Sequence, residues 1–314
     1  MRPWLSIVVL TWNEEDNIED CLTALAAQRD QGFEVIVVDA ASTDATVGKV
    51  NGLMPAFPVP LRLVVADERI PIGEARNRGV ALAKAPHVAF LSADAEAEPD
   101  WTQEARRSLR SHGMVFGRQL HAPRRWTLGA AVRGLRYVFP EDPPPDPLVY
   151  ASNVAAVFDR RILERHPFDP SADAAEDLLV ARRAAADGHR AVYNPRMVVR
   201  HHDVRDVREE MRKNLREGRG WGRHASELGV FWPLLGWGAA MGLAAGMAMR
   251  RRTGIMLLAA TVWAPATRRA VHGRSAMPMR RLLPAVLASP VFDGAFLVQY
   301  LNGLRHGADQ ESIA

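Results

Sequence analysis

Apolar runs and helical stripes alternate along the N-terminal part of the chain. Leu5-Ser6-Ile7-Val8-Val9-Leu10 is short, apolar and β-branched, the pattern of a strand buried on both faces. Ile18, Cys21, Leu22 and Leu25 then recur at i, i+3, i+4 and i+7, which is one face of a helix. Glu14, Glu15 and Asp16 stand at its start, where carboxylates favour the helix dipole. Glu34 to Val38, ended by Asp39, reads as a second strand, and Ser42, Thr43 and Asp44 are cap-type residues that open a second helix. Leu61 to Val65 reads as a third strand, Glu74 to Ala83 as a helix and His87 to Leu91 as a fourth strand. This alternation predicts an α/β fold with an open, mostly parallel sheet flanked by helices. Ligands of such sheets bind beyond the carboxyl ends of the strands. Polar clusters follow those ends here: Thr11-Trp12-Asn13-Glu14, Asp39, and Ser92-Ala93-Asp94-Ala95-Glu96.

From Gln119 to Tyr150 the pattern changes. Arg124, Arg125, Arg133 and Arg136 precede the proline-rich Glu141-Asp142-Pro143-Pro144-Pro145-Asp146-Pro147, so this segment is expected to be a long functional loop. The C-terminal part is apolar in blocks. Residues 229–249 are 21 residues with no charged side chain, long enough to span a bilayer as a helix. Arg250-Arg251-Arg252 follows directly, then a shorter apolar run over 255–266, and another over 282–304 that contains Asp293. A full span would put the three arginines outside, against the positive-inside tendency. A re-entrant hairpin or helices lying in the interface avoid that conflict, and a buried helical subdomain is the bland alternative.

The formal charge of the 314 residues is +4, and it is unevenly divided. Residues 201–314 hold 16 Lys+Arg against 9 Asp+Glu, a balance of +7, which leaves −3 for residues 1–200. The basic helix with Arg205, Arg208, Arg212, Lys213, Arg216, Arg219 and Arg223 fits an approach to anionic lipid or simply a solvated face, with Glu209, Glu210 and Glu217 diluting it. No nucleic-acid motif or aromatic-studded basic groove accompanies it, so nucleic acid is not expected as a partner. A single cysteine, Cys21, excludes an intrachain disulfide framework, and its place on an apolar helix face makes it a core residue. The first residues lack the pattern of a secretory leader.

A nicotinamide-binding fold needs a glycine-rich turn after the first strand, and Thr11-Trp12-Asn13-Glu14-Glu15 holds no glycine. Five motifs in order instead resemble the family 2 glycosyltransferases, over about residues 4–205. These are Ile7 to Glu14, similar to the family's strand and Thr-Tyr-Asn-Glu; Val37-Val38-Asp39-Ala40-Ala41-Ser42-Thr43-Asp44-Ala45-Thr46, similar to Val-Asp-Asp-Gly-Ser-Thr-Asp-x-Thr; and Gly73-Glu74-Ala75-Arg76-Asn77-Arg78-Gly79, similar to Ala-Arg-Asn-x-Gly. Phe90-Leu91-Ser92-Ala93-Asp94 sits where the family carries an Asp-x-Asp metal motif, and Phe168-Asp169 and Ala175-Glu176-Asp177 resemble its Gly-Phe-Asp and x-Glu-Asp elements. Any one motif is weak; their order and spacing make the resemblance specific.

The resemblance implies a GT-A fold for residues 1–205 and a cytoplasmic catalytic domain, while the apolar runs make 206–314 a helical, membrane-associated region. The resemblance implies an inverting transfer of a sugar from a nucleotide diphosphate donor to a hydroxyl acceptor, and the apolar C-terminal runs make a lipid-linked sugar or a polysaccharide the expected acceptor. A divalent cation (Mg²⁺ or Mn²⁺) would neutralise the diphosphate leaving group, and hard cations want carboxylates. Asp94 is the expected ligand, and of His201 and His202 it is His202 that is assigned to the metal. Asp39 suits a base N–H, with Thr11, Trp12, Asn13, Glu14, Ser42, Ser92 and Ala93 lining the nucleotide cleft. Arg76 would meet phosphate or hold Asp39 and Asp94, and taken alone it reads equally as a salt-bridge partner. Asp177 is implied as the base that removes the acceptor proton, with Glu176 holding it or binding acceptor. Both could instead cap the helix through Leu178, Leu179 and Arg182. Ser92 departs from the motif, since it brings no charge. Either Asp94 alone or with Glu96 carries the ion, or the domain binds nucleotide or glycan without turnover.

Overall fold

A computed structural model describes residues 2–136, 139–172, 174–203, 206–225, 227–228 and, between 285 and 301, all but 287, 291, 292 and 294. The chain divides into two compact units, Met1–Ala122 with Phe139–Asp203, and Pro123–Val138 with Val204–Ala314.

The first unit is built on a mixed sheet. Its strands are β1 (Leu5–Thr11), β2 (Phe33–Asp39), β3 (Leu61–Val65), β4 (His87–Ser92), β5 (Ala95–Ala97), β6 (Met114–His121), β7 (Ala155–Asp159) and β8 (Ala191–His201). The helices are α1 (Ile18–Ala26), α2 (Thr46–Leu53), α3 (Ile72–Leu82), α4 (Trp101–Leu109), α6 (Arg160–Arg165) and α7 (Glu176–Ala186), with α5 (Leu128–Arg136) and α8 (Val207–Arg223) in the second unit. The strand order is β3-β2-β1-β4-β7-β6-β8-β5. β1 to β4 are parallel, β7 runs antiparallel to both β4 and β6, and β5 is antiparallel to β8.

The period of two along each strand sorts its side chains between two cores. Ile7, Val9, Val35 and Val37 face Ile18 and Leu22 of α1 and Trp101 of α4. Val8, Ile36 and Val38 face Ala75 of α3, Ile162 of α6 and Val180 of α7. Cys21 is buried in the first of these cores. From β1 the chain moves to β2 and β3 on one side, then returns to β4 on the other. Such a switch point opens a crevice at the carboxyl ends of the strands. Thr11, Asp39 and Ser92 are the residues that end β1, β2 and β4 there.

β5 to β8 escape the sequence pattern. β5 has three residues, and β8 carries Pro195, which lacks an N–H for the ladder. The β6–β8 register accordingly jumps from Gly117↔Asn194 to Arg118↔Val198. The segment 119–150 is not the single loop its prolines suggest. β6 runs on to His121, and the arginine-bearing part forms α5. Leu128, Ala131, Val132 and Leu135 are spaced i, i+3, i+4, i+7, a helical stripe that lies just before the proline block.

In the second unit Ala131, Val132 and Leu135 of α5 cluster with Met211 of α8. That packing is why residues 123–138 group with the C-terminal part rather than with 1–205. Arg133 reaches Glu217 at 2.8 Å and Glu210 at 3.8 Å. Gly218 and Gly222 of α8 leave no room for a Cβ, because the backbone carbonyls of Phe296 and Tyr300 lie against them. Among the described residues no helix is long and apolar enough to cross a membrane. The apolar runs 229–249 and 255–266 lie outside the described residues, as does most of 282–294.

Two glycines test this packing in opposite directions. A Cβ at Gly73 would meet the carbonyl oxygen of Asp169, a backbone atom, whereas one at Gly48 in α2 meets nothing. Gly73→Ala is expected to lose about 1–3 kcal/mol to overpacking. Gly48→Ala is expected to gain about 0.5–1 kcal/mol from helix propensity. Urea unfolding of both variants checks the pair.

Candidate active site

β1 and β2 end in register, with Thr11 opposite Asp39. Asp39 is fully buried. Its carboxylate accepts from Thr11 Oγ1 at 2.7 Å, Ser42 Oγ at 2.5 Å and the Ser42 backbone N–H at 2.8 Å. Burying a carboxylate is tolerable only with such donors. The loops after β1 and β2 are stitched together. The Asn13 N–H donates to Ser42 Oγ and the Thr43 N–H to Asn13 Oδ1, both at 2.8 Å, and the Glu14 N–H donates to Thr46 Oγ1 at 2.8 Å. Asn17 Nδ2 donates to Glu14 Oε2 at 2.8 Å. Asn13 and Ala41 hold left-handed backbone, φ 56° and 59°. Asparagine tolerates that region, while alanine is strained in it. Thus Asn13, Glu14 and Ser42 shape the cleft wall through contacts to neighbouring loop residues. Trp12 is 47% exposed, and the Arg69 guanidinium lies 3.5 Å from its ring centroid.

Asp94 follows β4. β5 then pairs with the end of β8, placing Ala95 opposite His201. The ligating atoms of Asp94, His201 and Asp203 all lie within 4.8 Å of one another, and His201 Nε2 is 3.1 Å from Asp94 Oδ1. His202 is the histidine assigned to the metal from sequence, and the structure places His201 there instead. His202 Nδ1 meets the Ala122 carbonyl at 2.6 Å and its Nε2 meets Glu96 Oε1 at 2.5 Å, so both ring nitrogens are engaged. Successive residues at a strand end point to opposite faces, which separates the two histidines. Glu96 accordingly pairs with His202, and Asp203 is the second carboxylate beside Asp94. Ala93 is buried in the core, and the Ser92 carbonyl accepts from the Cys21 thiol at 3.6 Å. Burial and then the nearby Asp94, Glu14 and Glu96 carboxylates push the Cys21 thiol up.

α7 begins at Glu176, straight after Ala175 in left-handed backbone with φ 68°. Glu176 is buried and ion-paired with Arg76 of α3. The Arg76 guanidinium lies beside the T-shaped pair of Phe90 and Phe168, at 5.7 and 5.4 Å from their centroids. The expectation that Arg76 holds Asp39 and Asp94 therefore gives way to a pair with Glu176. Asp177, half-buried beside it, accepts from the Leu178 N–H at 2.8 Å and the Asn153 N–H at 3.3 Å. Burial and then the Glu176 carboxylate push the Asp177 carboxyl up to about 6, while Arg76 and the two N–H groups pull it down.

Asn153 escapes any reading of the sequence, being neutral and outside every motif. It is 2% exposed, and neither its carboxamide N nor O has a partner among the described residues. It lies just ahead of β7, whose Ala155 pairs with Leu91 of β4. Asn153 and Asp177 therefore stand at the edge of the sheet where β4 delivers Asp94.

A mixed sheet gathers a buried carboxylate, an Asp-His-Asp group and a raised carboxyl at one edge, and the fold is of the GT-A-like class. The fold aligns over 97% of this chain, and 87% of the other, with the mannosyltransferase PcManGT from Pyrobaculum calidifontis in complex with GDP-Man and Mn²⁺ (TM-score 0.60, 20% identity). It also aligns over 98% of this chain, and 91% of the other, with S. aureus TarS 1–349 in complex with UDP (TM-score 0.54, 17% identity). Residues 6–166 match the family model described as glycosyl transferase family 2, and the chain belongs to that family. Its relatives include the glycosyltransferase AglE of Haloferax volcanii, 28% identical over 114 residues, 36% of this chain and 37% of that protein. The succinoglycan biosynthesis protein ExoO of Rhizobium meliloti is 35% identical over 99 residues, 31% of this chain and 27% of that protein. The similarity thus spans about a third or less of the length of these curated relatives.

The Arg76–Glu176 pair predicts a stability signature. Arg76→Met leaves Glu176 buried without its partner, a change expected to cost about 3–5 kcal/mol. Arg76→Met combined with Glu176→Leu is expected to recover most of that loss, as read by chemical denaturation.

Proposed function

We propose that this family 2 glycosyltransferase is an inverting enzyme that moves a sugar from a nucleotide diphosphate sugar to an acceptor hydroxyl. The observation that carries the reading is Asp177, a carboxyl raised to about 6 at the sheet edge that also holds Asp94, His201 and Asp203. A base poised near neutral pH suits removal of a hydroxyl proton during attack. PcManGT was solved with GDP-Man and Mn²⁺ and TarS with UDP, which supports a nucleotide-bound donor here.

In this reading Asp39, held by Thr11 and Ser42, accepts from the N–H of the base, and the exposed Trp12 ring offers the base a face. Asn13 and Glu14 keep that wall in place, and the Ser92–Ala93 backbone lines the ribose side. Two carboxylates and one imidazole form a mixed oxygen and nitrogen set, which suits Mn²⁺ and is less suited to Mg²⁺, a cation that favours oxygen. Asp203 supplies the charge that Ser92 does not. The bound cation would neutralise the departing diphosphate. Asp177 accepts the acceptor proton as the hydroxyl oxygen bonds to the anomeric carbon and the bond to diphosphate breaks, inverting that centre. Glu176 and Arg76 position Asp177 from below. The acceptor is proposed to be a glycan or a lipid-linked sugar, and the enzyme to work at the cytoplasmic face of a membrane, a placement motivated by the apolar runs of the C-terminal part.

The test is a panel of nucleotide sugars with Mn²⁺, scored by release of nucleoside diphosphate. Asp177→Asn is expected to lower kcat by about 10²–10⁴ while nucleotide affinity is kept. No turnover with any donor would sink the proposal. The wild-type rate should rise with pH through about 6. Stability moves the other way. The folded pKa lies above the ordinary 3.8, so wild-type should lose stability relative to Asp177→Asn as pH rises from about 4 to about 6. For the cation, calorimetric titration with Mn²⁺ should show binding weakened in His201→Ala and Asp203→Ala but retained in His202→Ala. Equal weakening in all three would reject the Asp-His-Asp assignment.

A further inference from the structure

Helix α8 has two unlike faces. Glu210, Asn214, Gly218 and Gly222, four residues apart, are buried in the second unit. Arg208, Arg212, Arg216, Arg219 and Arg223 lie on another side of the helix. At about 100° per residue these five fall within a sector of about 80°, centred roughly opposite the buried face. The first four are exposed and Arg223 is half-buried. The stripe runs for about 22 Å along the helix axis.

None of the five arginines makes an ion pair or hydrogen bond among the described residues. Several surface arginines elsewhere are paired, as in Arg29–Asp100, Arg78–Glu74, Arg106–Asp30 and Arg165–Asp187. The acidic residues of α8 are turned away from the stripe. Glu209 lies 3.6 Å from Lys213, and Glu217 pairs with Arg133 at 2.8 Å. The stripe is therefore a row of positive charge with no counter-charge paired to it among the described residues.

We propose that the arginine stripe of α8 docks on an anionic lipid surface. Guanidinium forks bind phosphate oxygens in pairs, and a row of them at the helix pitch matches a surface of repeated phosphates. A bilayer fits better than a nucleic acid for two reasons. The stripe carries no aromatic residue on which bases could stack. In sequence, residues 229–249 follow shortly with no charge and lead into Arg250-Arg251-Arg252. Charge and apolar sequence together are the two signals that stable attachment to a membrane needs. The inference does not rest on the transfer reaction, since the stripe lies outside the residues assigned to it.

The full chain is tested by flotation with vesicles of phosphatidylcholine alone or mixed with phosphatidylglycerol, at low and high salt. The wild type is expected to prefer the anionic vesicles and to be weakened by salt. Replacing three arginines together (Arg212→Gln, Arg216→Gln, Arg219→Gln) should lower partitioning on the order of a hundredfold, about fivefold for each charge removed. Its circular dichroism and thermal transition should match wild type, because the three side chains are exposed and have no partner among the described residues. The corresponding triple lysine variant keeps the charge and should stay within about tenfold of wild type; if the glutamine variant fails to fold, this variant with the wild-type salt and lipid dependence decides. Equal binding to neutral and anionic vesicles overturns the proposal, as does loss of binding in the lysine variant. Displacement from anionic vesicles by an equal charge of duplex DNA also overturns it and points to nucleic acid.

Discussion

The buried ion pair between Arg76 and Glu176 ties together parts of the chain 100 residues apart. α3 supplies the cation from beside the parallel half of the sheet, and α7 supplies the anion at its first residue. Asp177 is the next residue, so the pair fixes where the candidate base stands. It also fixes how that base ionises. Two adjacent carboxyls in a partly dry site would not both lose their protons without a nearby cation. The Phe90 and Phe168 rings, packed on each other beside the guanidinium, add attraction of their own. An ion pair of this kind contributes less net stability than its closeness suggests, because desolvation offsets much of the attraction. Its value lies in geometry and in the charge state of its neighbour.

The parallel part of the fold was legible because β1, β2 and β4 are buried on both faces, which leaves unbroken apolar runs in the sequence. β5 to β8 were not, since a three-residue strand and a strand interrupted by Pro195 carry no such run. α5 was hidden for a different reason. Its apolar stripe over Leu128–Leu135 was in view, but the prolines from Pro140 onward coloured the reading of the whole segment. The site divides in the same way. Asp39, Asp94 and Asp177 sit in spaced motifs and could be found. The choice between His201 and His202 turns on strand parity and on which carboxylate faces which ring, and neither is written in a His-His pair. Asp203 and Asn153 belong to no motif and acquire meaning only from their neighbours in space.

Ser92 looked like a lesion while the sequence around it was read as a linear metal motif. In the fold, carboxylates need not come from one strand end. β5 and the end of β8 bring His201 and Asp203 to Asp94, so the lost negative charge is matched by one drawn from more than a hundred residues away. A cation responds to the sum of nearby ligands and charges, and the order of those ligands in the chain is indifferent to it. A similar exchange occurs at Ala41. The family pattern has glycine there, and this chain keeps the left-handed backbone with alanine. That position is held by the Asp39–Ser42 bonds and the hydrogen bonds that stitch the two loops together.

The division of charge between the N-terminal and C-terminal parts follows from what each must bind. Carboxylates gathered at a sheet edge need a cation or hydrogen-bond donors, and Asp39, Asp94, Asp177 and Asp203 have them close by. Among the described residues the arginines of α8 have no such partners, although Glu209, Glu210 and Glu217 lie on the same helix. The acids are engaged elsewhere, Glu209 with Lys213 and Glu210 and Glu217 with Arg133. A helix whose arginine stripe has no acid paired to it among the described residues keeps that stripe's positive field in solvent. No counter-charge meets the stripe among the described residues, and a field spread along a line of about 22 Å favours a partner whose charges are also spread.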